Sequence, residues 1–116
     1  MLAVGLSCLA GHPMPAVGET VTRRFLMTAS RFRFEPARLE VQAGDVVELV
    51  LHSADTEHGI AIKAFGVKAV IPKGGAFVTV SFVAEAAGRF PFECSEYCGS
   101  GHKRMKGELV VEEATR

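Results

Sequence analysis

The chain has 116 residues, 48% of them apolar, with 13 basic and 13 acidic side chains and a formal net charge of zero. That length makes one domain with a single small core. Balanced charge argues against a nucleic-acid surface, and the longest basic cluster, Lys103, Arg104 and Lys106, is too short to read as a polybasic tract. No run reaches the ~18 apolar residues of a membrane span.

Residues 1–19 read as an N-terminal tail and linker. "MLAVGLSCLAG" is apolar but short, and it lacks the basic start of a signal peptide. It reads as an apolar tail, or as the stump of an export signal or membrane anchor; Cys8 after "VGLS" loosely suggests a lipidated cysteine. "GHPMPAVGET" carries Pro13, Pro15 and Gly18 and reads as a solvated linker. His12 and Met14 there are copper-compatible side chains, best read as part of that linker.

From residue 20 to 116 the pattern is β. "VTRRFLMTA" alternates weakly. "RFRFEP" puts Phe32 and Phe34 on one face and ends at Pro36. "RLEVQAGD" sets Leu39 and Val41 in phase before a turn at Gly44 and Asp45. "DVVELVLHS" is a mostly apolar run, as expected of a strand buried on both faces. "GIAIKAFG" alternates Ile60 and Ile62, and "IPKGGA" is a turn. "FVTVSFVAE" sets Val78, Val80 and Phe82 against Phe77, Thr79 and Ser81. "GRFPFEC" brings Phe90 and Phe92 into phase, and "GELVVEE" closes the chain. About eight short strands separated by turn signals, with no helix-period segment, predict an all-β antiparallel sandwich or barrel.

The chemistry concentrates in "ECSEYCGSGHKRMKG", residues 93–107, which holds Cys94, Cys98, His102 and Met105. Zinc rarely takes a thioether, and its structural knuckles favour a closer cysteine spacing. A Cys94–Cys98 disulfide closes a very short loop, stabilises little and leaves His102 and Met105 without a purpose. A redox dithiol wants two cysteines, two residues apart, at a helix start in a βαβ setting. Soft thiolate, thioether and imidazole together select copper. A mononuclear blue site needs one Cys, two His and a weak Met, which leaves Cys94 surplus. Two thiolates four residues apart can instead bridge a pair of copper ions, and each ion then needs an imidazole. His102 supplies one. The second must come from His12, His52 or His58, and His58 is favoured because the loop "SADTEHGI" lies at a sandwich end, where loops meet. His52 reads as an edge or surface histidine.

These residues resemble a known family. "CSEYCGSGHKRM" is similar to the dinuclear copper A motif of cytochrome c oxidase subunit II. "DTEHGIAIKAFGVKAVIPKG" resembles that family's other ligand loop, and "FRFEPARLEVQAGDVVELVL" resembles the opening half of many cupredoxins. The likeness covers roughly residues 31–112. It implies a cupredoxin Greek-key β-sandwich holding two copper ions. In that likeness Cys94 and Cys98 bridge both ions, His58 and Met105 complete one, and His102 and the backbone carbonyl of Glu96 complete the other. Phe65, Phe92 and Ile60 are expected to exclude water from the centre, and Tyr97 either packs over it or packs generically.

The function this implies is one-electron transfer, with a c-type cytochrome or a terminal oxidase as redox partner, either freestanding or as the electron-entry subunit or domain of an oxidase. A periplasmic copper carrier or assembly protein, or a mononuclear cupredoxin, is the alternative. No base–nucleophile pair points to catalysis by this chain alone. A monomer in the periplasm or otherwise exported is expected, associated with a membrane only through an anchor.

Overall fold

Alternation of apolar and polar residues decides which face each strand presents to the core. The computed structural model describes residues 20–115; the tail, with Cys8, His12 and Met14, lies outside them. Nine strands follow one another: β1 (Thr22–Ser30), β2 (Arg33–Glu35), β3 (Arg38–Gln42), β4 (Val46–Ser53), β5 (His58–Ile62), β6 (Val67–Ile71), β7 (Val78–Val83), β8 (Gly88–Glu93) and β9 (Lys106–Glu112). Short 3-10 turns occupy Lys63–Phe65 and His102–Arg104. The strands form a four-stranded sheet in the order β2-β1-β4-β7 and a five-stranded sheet in the order β3-β9-β8-β5-β6.

Three details differ from the sequence expectation. The additional strand is β6, whose five residues lie between two turn signals. The sandwich is mixed rather than antiparallel, because β1 runs parallel to β4 and β3 parallel to β9. The chain leaves the first sheet for β3 and returns for β4, so a hairpin cannot set the direction of these neighbours. Finally, β4 is not buried on both faces. Val47, Leu49 and Leu51 are fully buried, while Val46, Glu48, Val50 and His52 alternate outward and are half-buried.

The strand covered on both faces is β5, all five of whose residues are buried. Ile60 and Ile62 face the core, and the outer face at Gly59 is roofed by the chain at Ser95 and Glu96. A Cβ at Gly59 would lie 2.2 Å from Ser95 Oγ and 3.1 Å from the Ala69 carbonyl oxygen. Only a glycine admits so close a crossing.

Between the sheets, Phe34 meets Phe92 edge-on with ring centroids 5.3 Å apart. Leu39, Leu49, Leu51 and Leu109 are among the side chains that complete this layer. Each such side chain contributes about 1.5–3 kcal/mol by leaving water. Phe65 does not join the metal-ligand candidates. It packs on Phe82 and Phe90, at centroid distances of 5.4 and 4.9 Å.

Candidate metal centre

The β4–β5 turn and the β8–β9 loop meet at one end of the sandwich. The first is knitted by its own polar groups. Ser53 Oγ donates to the Thr56 carbonyl and accepts from the Asp55 N–H at 3.1 Å. Asp55 Oδ1 accepts from the Thr56 N–H at 2.6 Å and from His58 Nε2 at 2.7 Å. Its Oδ2 accepts from the Arg31 N–H at 2.8 Å. Burial raises the Asp55 carboxyl, but these hydrogen bonds outweigh it and hold the group at about 2. A carboxylate only accepts, so His58 donates to it from Nε2, and a neutral ring held this way turns its Nδ1 lone pair to the other side. That nitrogen lies 3.9 Å from Cys94 Sγ, in a side chain with no exposure.

The second segment, residues 94–105, is held by main-chain bonds. The Cys94 N–H donates to the Met105 carbonyl at 3.1 Å, extending the β8–β9 pairing across the loop mouth. Within the loop, the His102 N–H donates to the Gly99 carbonyl and the Met105 N–H to the His102 carbonyl. Phe32 packs beneath it, and a Cβ at Gly101 would lie 2.4 Å from that ring. Arg31 Nε donates to the Cys98 carbonyl at 2.8 Å. Arg31 therefore touches both ligand-bearing segments, through its amide to Asp55 and its guanidinium to Cys98.

The donor atoms converge. The sulfurs of Cys94 and Cys98 are 3.6 Å apart, and both cysteines are free and buried. A disulfide needs about 2.05 Å, so the two are thiols here. Cys94 Sγ donates to the Glu96 carbonyl at 3.1 Å. Cys98 Sγ lies 3.7 Å from His102 Nδ1 and 3.8 Å from Met105 Sδ. The ligand atoms of His58, Cys94 and Cys98 all fall within 4.8 Å of one another. Two donors on one ion at about 2.0–2.3 Å sit roughly 3.3–3.8 Å apart, so these spacings suit shared metal ligation. Burial pushes the Cys98 thiol up, Cys94 adds to the effect, Arg31 opposes it, and the result is about 11. A cation bound at such a thiol deprotonates it.

His52 stays out of the cluster. It shares a 2.9 Å hydrogen bond with Thr28 Oγ1 and touches the Phe77 ring on the outer sheet face. Tyr97 is 77% exposed, with its ring 5.6 Å from that of His102, so it flanks the cluster rather than sealing it. The sequence alone gave Asp55 no part in aiming His58 and did not single out Arg31. The spacing of Asp55 three residues before His58 was the available signal for the first. Nothing in sequence marks the second, because its partners lie 24 and 67 residues away.

The cupredoxin-like domain family matches residues 1–111. The chain belongs to that family. This cupredoxin is 30% identical over 104 residues to cytochrome c oxidase subunit 2 of Thermus thermophilus, across 87% of this chain and 76% of that one. It covers 61% of a second, longer subunit 2 from the same species, also at 30% identity. It is 32% identical over 100 residues to nitrous-oxide reductase of Cupriavidus necator, across 82% of this chain but 15% of the enzyme. Among solved structures it superposes on the periplasmic domain of subunit II of cytochrome oxidase of Bradyrhizobium japonicum. The TM-score there is 0.70 at 22% identity, covering 78% of this chain and 83% of that one, a likeness of fold. The architecture is thus a cupredoxin β-sandwich, and the chain is a homologue of oxidase subunit 2.

Proposed function

We propose that this cupredoxin, in residues 20–116, is a one-electron carrier built around a dinuclear copper centre. Its ligands are His58, Cys94, the Glu96 main-chain carbonyl, Cys98, His102 and Met105. One observation carries the reading: each cysteine sulfur abuts two different ligand groups. Cys94 lies beside His58 and the Glu96 carbonyl, and Cys98 beside Met105 and His102. His58 with Met105, and the Glu96 carbonyl with His102, then make two ligand sets that share both sulfurs. A mononuclear site takes one sulfur, both imidazoles and the thioether, and leaves the other sulfur and the Glu96 carbonyl without a role.

When bound, the copper pair supplies a centre that gains and loses one electron spread over two metals and two sulfurs. The chain's own part is to keep the donors still. Asp55 fixes the His58 ring, Arg31 ties Cys98, and main-chain bonds close the loop, so little has to rearrange when the charge changes. Ile60, Phe92 and Met105 are fully buried and keep water from one side. The kinship supports a c-type cytochrome or a terminal oxidase as redox partner, and an exported, periplasmic setting. No helix among the described residues is long and apolar enough to cross a membrane.

Copper titration followed by electron paramagnetic resonance tests the reading. Saturation at about two ions per chain, with a mixed-valence spectrum, is the expected result. Saturation at one ion with a mononuclear spectrum sinks it.

A further inference from the structure

Lys106, Glu93, Ala61 and Lys68 stand in register across β9, β8, β5 and β6. Cross-strand partners share a face, and here it is the outer one, since Ile60, Ile62 and Phe92 point into the core. Ala61, Lys63, Lys68, Ser95 and His102 line an open hollow beside the ligand loop. A second hollow, lined by Glu93, Cys94, His102, Lys103 and Lys106, continues it on the other side of Glu93. Among the described residues Glu93 is the only carboxylate lining either hollow, and it pairs with Lys63 at 3.2 Å. Glu96 is the nearest other carboxylate along the loop. Lys68, Lys103 and Lys106 are exposed and make no ion pair among the described residues. A chain of zero formal charge thus concentrates cations around one spot. At that spot His102 comes to the surface, whereas His58 is sealed.

The geometry points to a docking face for a protein partner with an acidic surface, seated over His102 and ringed by Lys63, Lys68, Lys103 and Lys106. Charge complementarity decides the occupant. Exposed lysines spread along a broad, open hollow hold a small anion poorly, because water and salt screen each one separately. An extended acidic patch engages all of them at once, and such a match raises association rate more than final affinity. The redox arm of this inference rests on the electron-carrier reading; the docking arm does not.

The probes are two c-type cytochromes, one with an acidic surface and one with a basic surface. Docking is read from amide shifts in the metal-free full chain. Electron transfer is read by stopped flow with the copper-loaded chain, where each ferrous cytochrome loses one electron and the centre gains it. The acidic cytochrome is expected to shift the amides around Lys68, Lys103 and Lys106, and less so as salt rises. Neutralising these three lysines together (K68Q, K103Q, K106Q) should weaken docking about tenfold at low salt. A control with equal charge change elsewhere (R24Q, R38Q, R89Q) should not. Equal losses in both triple variants, or tighter docking of the basic cytochrome on this face, would overturn the proposal. Docking without electron transfer upholds it and defeats the electron-carrier reading. Equal transfer from both cytochromes, indifferent to salt and to the lysine variants, does the reverse.

Discussion

The two segments that meet at the metal-ligand candidates are built on different principles. Residues 53–58 form a short turn whose hydrogen bonds are mostly internal, and its histidine is aimed by a carboxylate before anything binds. Residues 94–105 form a longer, glycine-bearing loop shaped from outside, by Phe32 beneath it, Gly59 facing it and Arg31 at its side. One segment is oriented by chemistry, the other by fit. The first should therefore fail by losing aim, the second by losing position.

The largest effect is expected where the loop carries its bridging chemistry. Cys94→Ser should abolish the two-copper stoichiometry and the mixed-valence spectrum, leaving one ion or none. An intact dinuclear spectrum would erase the distinction between bridging and incidental thiols. Next comes aim. Asp55→Ala frees the His58 ring and should weaken metal affinity about 10–100-fold in a competition titration, the usual cost of removing a histidine's outer partner. Far-ultraviolet circular dichroism should stay the same. Fit is tested by Gly59→Ala, whose Cβ overlaps Ser95. Overpacking of this kind costs about 1–3 kcal/mol, read as a lower denaturation midpoint at unchanged slope. A neutral result would show that the loop yields easily and is not shaped by this crossing. The smallest effect belongs to His52→Ala. It should leave copper stoichiometry and spectrum unaltered, since His52 bonds to Thr28 and lies on the outer face. Loss of an ion there would move the second imidazole away from His58.

Most strands were legible because one buried face forces alternation, as with Leu39 and Val41 or Val78, Val80 and Phe82. The errors share a cause, which is that the cover over a face comes from a distant part of the chain. β4 looked doubly buried because Val46 and Val50 are apolar, yet they face outward. β5 looked half-buried, yet the ligand loop roofs it at Gly59. Phe65 was expected near the metal-ligand candidates from its nearness in sequence to His58, but the 3-10 turn carries it to Phe82 and Phe90. The candidate ligands were legible because their spacing is itself the chemical signal. Their supports were not, since Arg31 reaches Cys98 across 67 residues.

The parallel pairing of β3 with β9 has a consequence for the chain's biography. Arg38 and Glu108 face each other across it, 70 residues apart, and β9 is also the far wall of the ligand loop, where Cys94 meets Met105. Contacts of such long range form slowly. During synthesis the cluster cannot take its final shape until Lys106–Glu112 has cleared the ribosome and docked. A nascent chain stalled before that point carries both cysteines with no closed site around them.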